Sequence, residues 1–286
     1  MKHLTDWCTS VVWAALLVCA PTVVLAQGKL ELIEVKKIWD QAPHNAFTDL
    51  VRFQDQWFCV FREGQGHVSP DGALRVITSK DGETWESAAL ITSPNSDLRD
   101  AKITVTPDGQ LMLAGAEAIN QPTTHRWQSL VWFSPDGRTW SERHEVADPD
   151  VWLWRITWHK GKAYGWGYGC RDDNRGIRLY VSSDGKTFET LIPKAAVEGT
   201  YPNETSMAFM PDDTCYCLLR QDGQPNNGYI GISRPPYTEW TWKKLNAQIG
   251  GPHMIALPDG RLLAAVRLYD NRVRTSLCWI DPEAGT

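Results

Sequence analysis

Apolar and polar residues alternate along most of this chain in short runs, with no sustained helical spacing. "DQWFCVFR" (55–62), "DTCYCLLR" (213–220) and "GRLLAAVR" (260–267) are typical. A period of two sends successive side chains to opposite faces of a strand. Tight-turn sequences separate such runs: "TPDGQL" (106–111), "HKGKAY" (159–164), "MPDDTC" (210–215), "LPDGRL" (257–262) and a looser "FQDQW" (53–57). These predict β-hairpins. A second signal recurs out of phase with them. "TSKDGETW" (78–85), "FSPDGRTW" (133–140) and "SSDGKTF" (182–188) repeat Ser-x-Asp-Gly-x-Thr-aromatic, and "SRPPYTEWTW" from Ser233 is a degenerate fourth copy.

Each repeat therefore reads as a hairpin, a third strand, an Asp-Gly turn and a fourth strand, with a period of roughly 50 residues. That is a propeller blade. Blades are expected at 47–93, 98–146, 152–194, 202–246 and 250–286. The run "LELIEVKKIW" (30–39) reads as a lone strand that would complete the last blade of a closed ring. Because the fifth unit runs out near "CWIDPEAGT", and open rings expose edge strands, the expected fold class is all-β. It is a β-propeller of four-stranded antiparallel blades, six-bladed in type with the last blade largely missing from this chain. A five-bladed ring is the alternative. Asp81, Asp136 and Asp184 are expected to be structural. Each carboxylate accepts N–H bonds within its own turn, each Gly takes φ > 0, and the aromatic fills the gap between layers.

Residues 1–26 read as a secretory signal, with Lys2 and His3 before "VVWAALLVCAPTVVLA" and Val24-Leu25-Ala26 at the cleavage site. A membrane anchor is the alternative, and no other run is apolar enough to span a bilayer. Secretion or periplasmic export follows. The net charge of −5 gives no general attraction to nucleic acid or acidic membranes. Cys59, Cys170, Cys215, Cys217 and Cys278 show no metal-ligand spacing, so neither metal nor cofactor is expected; they read as small buried residues. Fifteen tryptophans suit packing between sheets and stacking on sugar rings.

In a propeller, the starts of the first strands and the ends of the second converge on one funnel. The first-strand position is expected to carry Asp49, Asp100, Trp154, Glu204 and His253. The second-strand position carries Arg62, Arg220 and Arg267, with Ala116 and Tyr168 in the other two blades. Carboxylates and guanidiniums around one axis suit an anionic or polyhydroxylated ligand. The plain alternative is that these charges pair with one another and lock the ring.

With these motifs the chain resembles the sialidase superfamily, the Asp-box (BNR-repeat) proteins, over nearly all of residues 27–286. "NETSMAFMPDDTCYCLLR" (203–220) places Glu204 and Arg220 in the family's fourth-blade relation. The resemblance implies that Glu204 assists a tyrosine nucleophile and that Arg220 grips a substrate carboxylate. Arg267, Arg272 or Arg274 could supply the fifth-blade arginine. The loop "REGQGHVSPDG" offers Asp71 as acid/base, with Glu63 and His67 beside it. Phe47-Thr48-Asp49-Leu50 replaces the family's first arginine motif, and the tyrosine nucleophile is expected on the absent sixth blade. The expected function is a secreted sialidase-like glycoside hydrolase. Glu204, Asp100, Asp49 and Asp71 are the candidate acids and bases; Arg62, Arg220, Arg267, His67 and Trp154 are the candidate substrate contacts. A non-catalytic carbohydrate-binding or protein-interaction propeller is the alternative.

Overall fold

Alternating runs bounded by turns become antiparallel sheets, and five such sheets follow one another along the chain. The structure, a computed structural model, describes residues 30–286; the leader expected at 1–26 lies outside the described residues. Residues 32–286 form one unit. The first sheet is β1 (His44–Phe53), β2 (Gln56–Gly64), β3 (Ala73–Ser79) and β4 (Glu86–Ile91). The second is β5 (Ser96–Val105), β6 (Leu111–Ile119), β7 (Trp127–Ser134) and β8 (His144–Val146). In the third, β9 (Val151–Leu153) and β10 (Thr157–His159) share the edge of β11 (Lys162–Gly169), followed by β12 (Ile177–Ser182) and β13 (Glu189–Ile192). The fourth is β14 (Pro202–Phe209), β15 (Cys215–Gln221), β16 (Tyr229–Ser233) and β17 (Thr241–Lys244). The last has three strands: β18 (Ile249–Ala256), β19 (Leu262–Tyr269) and β20 (Val273–Ile280). Among the described residues the propeller thus has five blades, as in the alternative reading, and not six.

Four apolar cores lie between successive blades. Phe58, Val60 and Leu74 of the first meet Leu98, Ile103 and Leu113 of the second. Met112 and Val131 meet Val151 and Leu153. Trp166 and Leu179 meet Met207 and Cys217. Leu218 and Ile230 meet Met254 and Val266. Second strands are covered on both faces, which is why "WFCVFR" and "LMLAGA" read as nearly continuous apolar runs.

The Asp-Gly turns have the geometry expected of them. The Asp136 carboxylate accepts the N–H groups of Arg138 and Thr139 at 2.8 Å each. Gly137 sits at φ 74, and the Trp140 indole donates to the Gly137 carbonyl at 3.2 Å. The fourth copy lacks both Asp and Gly. There Tyr237 takes the left-handed conformation at φ 65, and Trp240 donates to its carbonyl at 2.9 Å.

The run 30–39 is a correction, because it forms no strand and does not complete the last blade. Trp39 holds it against the first blade instead. Its indole donates to Glu63, its ring packs near Phe61, and Arg75 lies over it at 5.3 Å. Among the described residues the outer edge of β20 has no strand partner, and Val273 and Leu277 are about 60% exposed. Where the fifth and first blades face each other, His253 Nδ1 lies 3.6 Å from the Asp49 carboxylate, and Phe47, Cys59, Ala265 and Val266 line the cavity there.

Candidate active site

The first strands carry the candidate carboxylates, and a β-bulge near the start of four of them decides where each one points. The register slips between Ala46 and Asp49, Arg99 and Lys102, Pro202 and Thr205, and Gly250 and His253. A bulge inserts an extra residue and re-aims the side chains around it. Past the bulges, Asp49 pairs with Val60, Lys102 with Ala114, Ser206 with Leu218 and His253 with Ala265. These four therefore share one register position. Asp100 and Glu204 stand two residues earlier, level with Phe47 and Gly251. The sequence-based alignment of Asp49 with Asp100 and Glu204 is thus out by two residues. In the third blade the strand breaks altogether between β9 and β10, which sets Trp154 and Arg155 in the gap.

Asp49 is buried and fully engaged. It accepts the Ile103 N–H at 2.9 Å and both terminal nitrogens of Arg155 at 2.9 and 3.0 Å. Burial pushes its pKa up, but the groups around it, Arg155 foremost and Lys102 with it, together hold it below the usual carboxylate range. Ser206 has the same job at the seam between the fourth and fifth blades, accepting the Met254 N–H at 2.9 Å. Asp49 is therefore an inter-blade staple. Burial, reinforced by Arg155, brings His253 down to about 4. It is neutral at pH 7, so its contact with Asp49 is no ion pair.

Asp100 is the opposite case. It is the bulged residue, at φ 54, a left-handed conformation that Asp tolerates better than most residues. Its Oδ1 is buried with no hydrogen-bond partner. Burial raises its pKa to about 6; Lys102 opposes that rise and the charge on Glu204 adds to it. Such a carboxyl can carry a proton near neutral pH. The Glu204 carboxylate is held at both ends. Oε1 accepts Arg220 Nη1 at 2.8 Å and Oε2 accepts the Gly251 N–H at 2.7 Å. The neighbouring Asn203 is buried and donates to Asp222 at 2.8 Å.

The three arginines of the shared second-strand position have different fates. Arg62 is completely buried. It donates to Asp97 through Nε and Nη2 at 3.0 and 2.7 Å, to the Gly66 carbonyl at 2.6 Å and to Ser69 Oγ at 3.0 Å. It pins the loop after β2 against the second blade, which is the plain alternative for this residue. Arg220 bridges Glu204 and Asp222. Arg267 makes no ion pair among the described residues, and its Nε is buried without a partner. Arg274 is committed to Asp270.

Asp71 and His67 lie on the exposed loop at the mouth. Asp71 is held low by its hydrogen bond with Ser69, and it also caps the Gln65 N–H. His67 sits edge-on to His44 at 5.6 Å. Trp154 is buried in an aromatic wall with Trp127, Trp152 and Tyr168. Burial, and then Glu204 and Asp100, push the Tyr168 phenol well above its ordinary value, so it stays a neutral donor.

A cavity of about 640 Å³ opens at this place, lined among others by Asp49, Lys102, Trp154, Arg155, Glu204 and Arg267. Sequence reasoning missed Lys102 and Arg155. The one legible signal was a lysine inside the strand-like "DAKITV", where a charge interrupts an apolar run. Among the described residues, no cluster of His, Cys, Asp and Glu could hold a metal ion, and all five cysteines are free. No helix there is long and apolar enough to cross a membrane.

No family model and no curated protein matches the chain. Solved structures do share its fold. A protein of unknown function from Dyadobacter fermentans DSM 18053 superimposes with a TM-score of 0.73 at 21% identity, over 84% of this chain and 79% of that one. An α-L-arabinanase from Penicillium chrysogenum, complexed with arabinobiose, gives 0.61 at 15%, over 83% and 81%. A Hadza microbial sialidase gives 0.61 at 16%, over 83% of this chain and 58% of that one. At these identities the likeness establishes a β-propeller fold and nothing finer.

Proposed function

We propose that the protein is a glycoside hydrolase whose substrate enters the funnel above Asp100 and Glu204. The observation that carries this reading is the contrast between those two carboxyls. Asp100 is buried, its Oδ1 has no hydrogen-bond partner among the described residues, and it is protonated up to about pH 6. Glu204 is held in place at both oxygens by a guanidinium and a backbone N–H. Two acids whose surroundings push them toward opposite roles are what glycosidic cleavage requires. Asp100 would protonate the leaving oxygen. Glu204 would act as the carboxylate that activates water or stabilises the developing positive charge. The Trp154 wall would seat the sugar face, and Arg267 would meet an acidic or hydroxyl group.

The arabinanase and sialidase names among the structural neighbours support a glycan substrate. Exo-sialidase specificity is the narrower form of the proposal and rests on the sequence resemblance at Glu204 and Arg220. Export by the leader at 1–26 would place the enzyme where polymeric glycans occur. The chain is tested on a panel of 4-methylumbelliferyl glycosides: α-L-arabinofuranoside, β-D-galactoside, β-D-glucuronide and α-N-acetylneuraminide. Turnover of at least one is expected, and Glu204→Gln should abolish it while sugar binding persists. Binding without turnover in the unaltered chain would favour the carbohydrate-binding propeller, in which the same clamp on Glu204 has only a structural use.

A further inference from the structure

At the register position shared by Asp49, Lys102, Ser206 and His253, the side chain has a visible task in two blades. Asp49 and Ser206 each accept the N–H of the residue after this position in the next blade, both at 2.9 Å. A lysine ammonium can only donate, so Lys102 cannot make that staple.

Lys102 is buried, yet it lines the cavity. Its Nζ lies 4.3 Å from the centroid of the Trp154 ring. It donates one hydrogen bond, to the Ala101 carbonyl at 3.2 Å. An ammonium has three donors, so two are left over among the described residues. Burying a charge with unused donors is costly unless a partner arrives. Arg155, the neighbouring cation, is committed to Asp49. Burial lowers the Lys102 pKa, whereas Asp100, Asp49 and Glu204 favour the charged form.

We propose that Lys102 is a substrate-contacting specificity residue, donating from the cavity floor to an acceptor oxygen of a sugar ring seated on Trp154. This deepens the hydrolase reading and rests on it for the nature of the ligand. Trp154 holds the apolar face of the sugar, and the ammonium, fixed against the same ring, reads an oxygen at its edge.

The test compares the full chain with Lys102→Met and Lys102→Arg on whichever glycoside of the panel the parent turns over. Lys102→Met should raise KM at least tenfold with a smaller change in kcat and a melting temperature no lower than the parent's. Lys102→Arg should recover part of the loss. A folded Lys102→Met protein with unaltered KM overturns the proposal. If the Met variant does not fold, Lys102→Ala takes its place, and an unaltered KM in that variant overturns the proposal. If the parent hydrolyses none of the panel, the hydrolase reading fails by itself, and calorimetry with the methyl glycosides of the same sugars decides the role of Lys102. Binding at least tenfold tighter to the parent than to Lys102→Met supports it; equal binding, or none, overturns it.

Discussion

Asp100 and Asp49 are both buried aspartates near the start of a first strand, and their surroundings give them opposite chemistry. Folded Asp100 keeps its proton to about pH 6, whereas an ordinary Asp releases it near 3.8. The folded state thus binds the extra proton between these values. Stability from this group is complete below pH 3.8 and is lost as the pH rises through 6. The gap is worth roughly 3 kcal/mol. Asp100→Asn should remove that decline, which urea melts at pH 4 and pH 8 will show. The same substitution should lower kcat by about 10²–10⁴-fold, and the parent should lose activity on the alkaline side of about pH 6. Asp49→Ala should act on stability. It strands the Arg155 guanidinium in the interior, and breaking a buried pair in this way costs about 3–5 kcal/mol, measurable by urea denaturation.

Bulges and Asp-Gly turns do the work at the scale of the elements. A bulge turns Asp100 toward Lys102 and Glu204, while the staple position two residues on locks successive blades together. The turns lock them on the opposite side. A Cβ on Gly137 would lie 2.1 Å from the Phe58 ring of the first blade, and the residue also sits at φ 74. Gly137→Ala should therefore destabilise the chain by about 1–3 kcal/mol, read from the denaturation midpoint. Backbone N–H groups hold the turn aspartates Asp81 and Asp184 down to about 2. Their contribution is present above pH 4 and is lost as the pH falls through 2, opposite in sign to Asp100. Replacing Asp184 with Asn should make the melting temperature less sensitive to acid.

Four seams between successive blades hold apolar cores. Between the fifth and first blades, His253 approaches Asp49 beside a cavity lined by Phe47, Cys59, Ala265 and Val266. Among the described residues β20 has no partner on its outer edge, and it carries exposed apolar side chains. Backbone hydrogen bonds with little apolar cover open at low cost. Amide exchange should therefore be faster across 273–280 than across 229–233 of the fourth blade, and equal rates would contradict this picture of the seam.

The sequence by itself determined the blade. Alternation, hairpin turns and the Asp-Gly repeat are local, and each is satisfied within about 50 residues, so all could be read without a partner. It also brought Glu204, Arg220 and Arg267 into consideration, because second strands align without gaps. Only the tertiary structure decided which charges are free. Arg62 reads the same as Arg267 in its strand, yet Asp97 and the loop after β2 consume it, while Arg267 lies over the Tyr269 ring and makes no ion pair among the described residues. Asp49 reads like Asp100 but lies two residues out of phase, because bulges leave no mark in composition or period. The run 30–39 reads as a strand, but Trp39 finds Phe61 and Glu63 on the first blade. In each case the deciding partner is distant along the chain, and pairing between distant groups is fixed by packing rather than by local pattern.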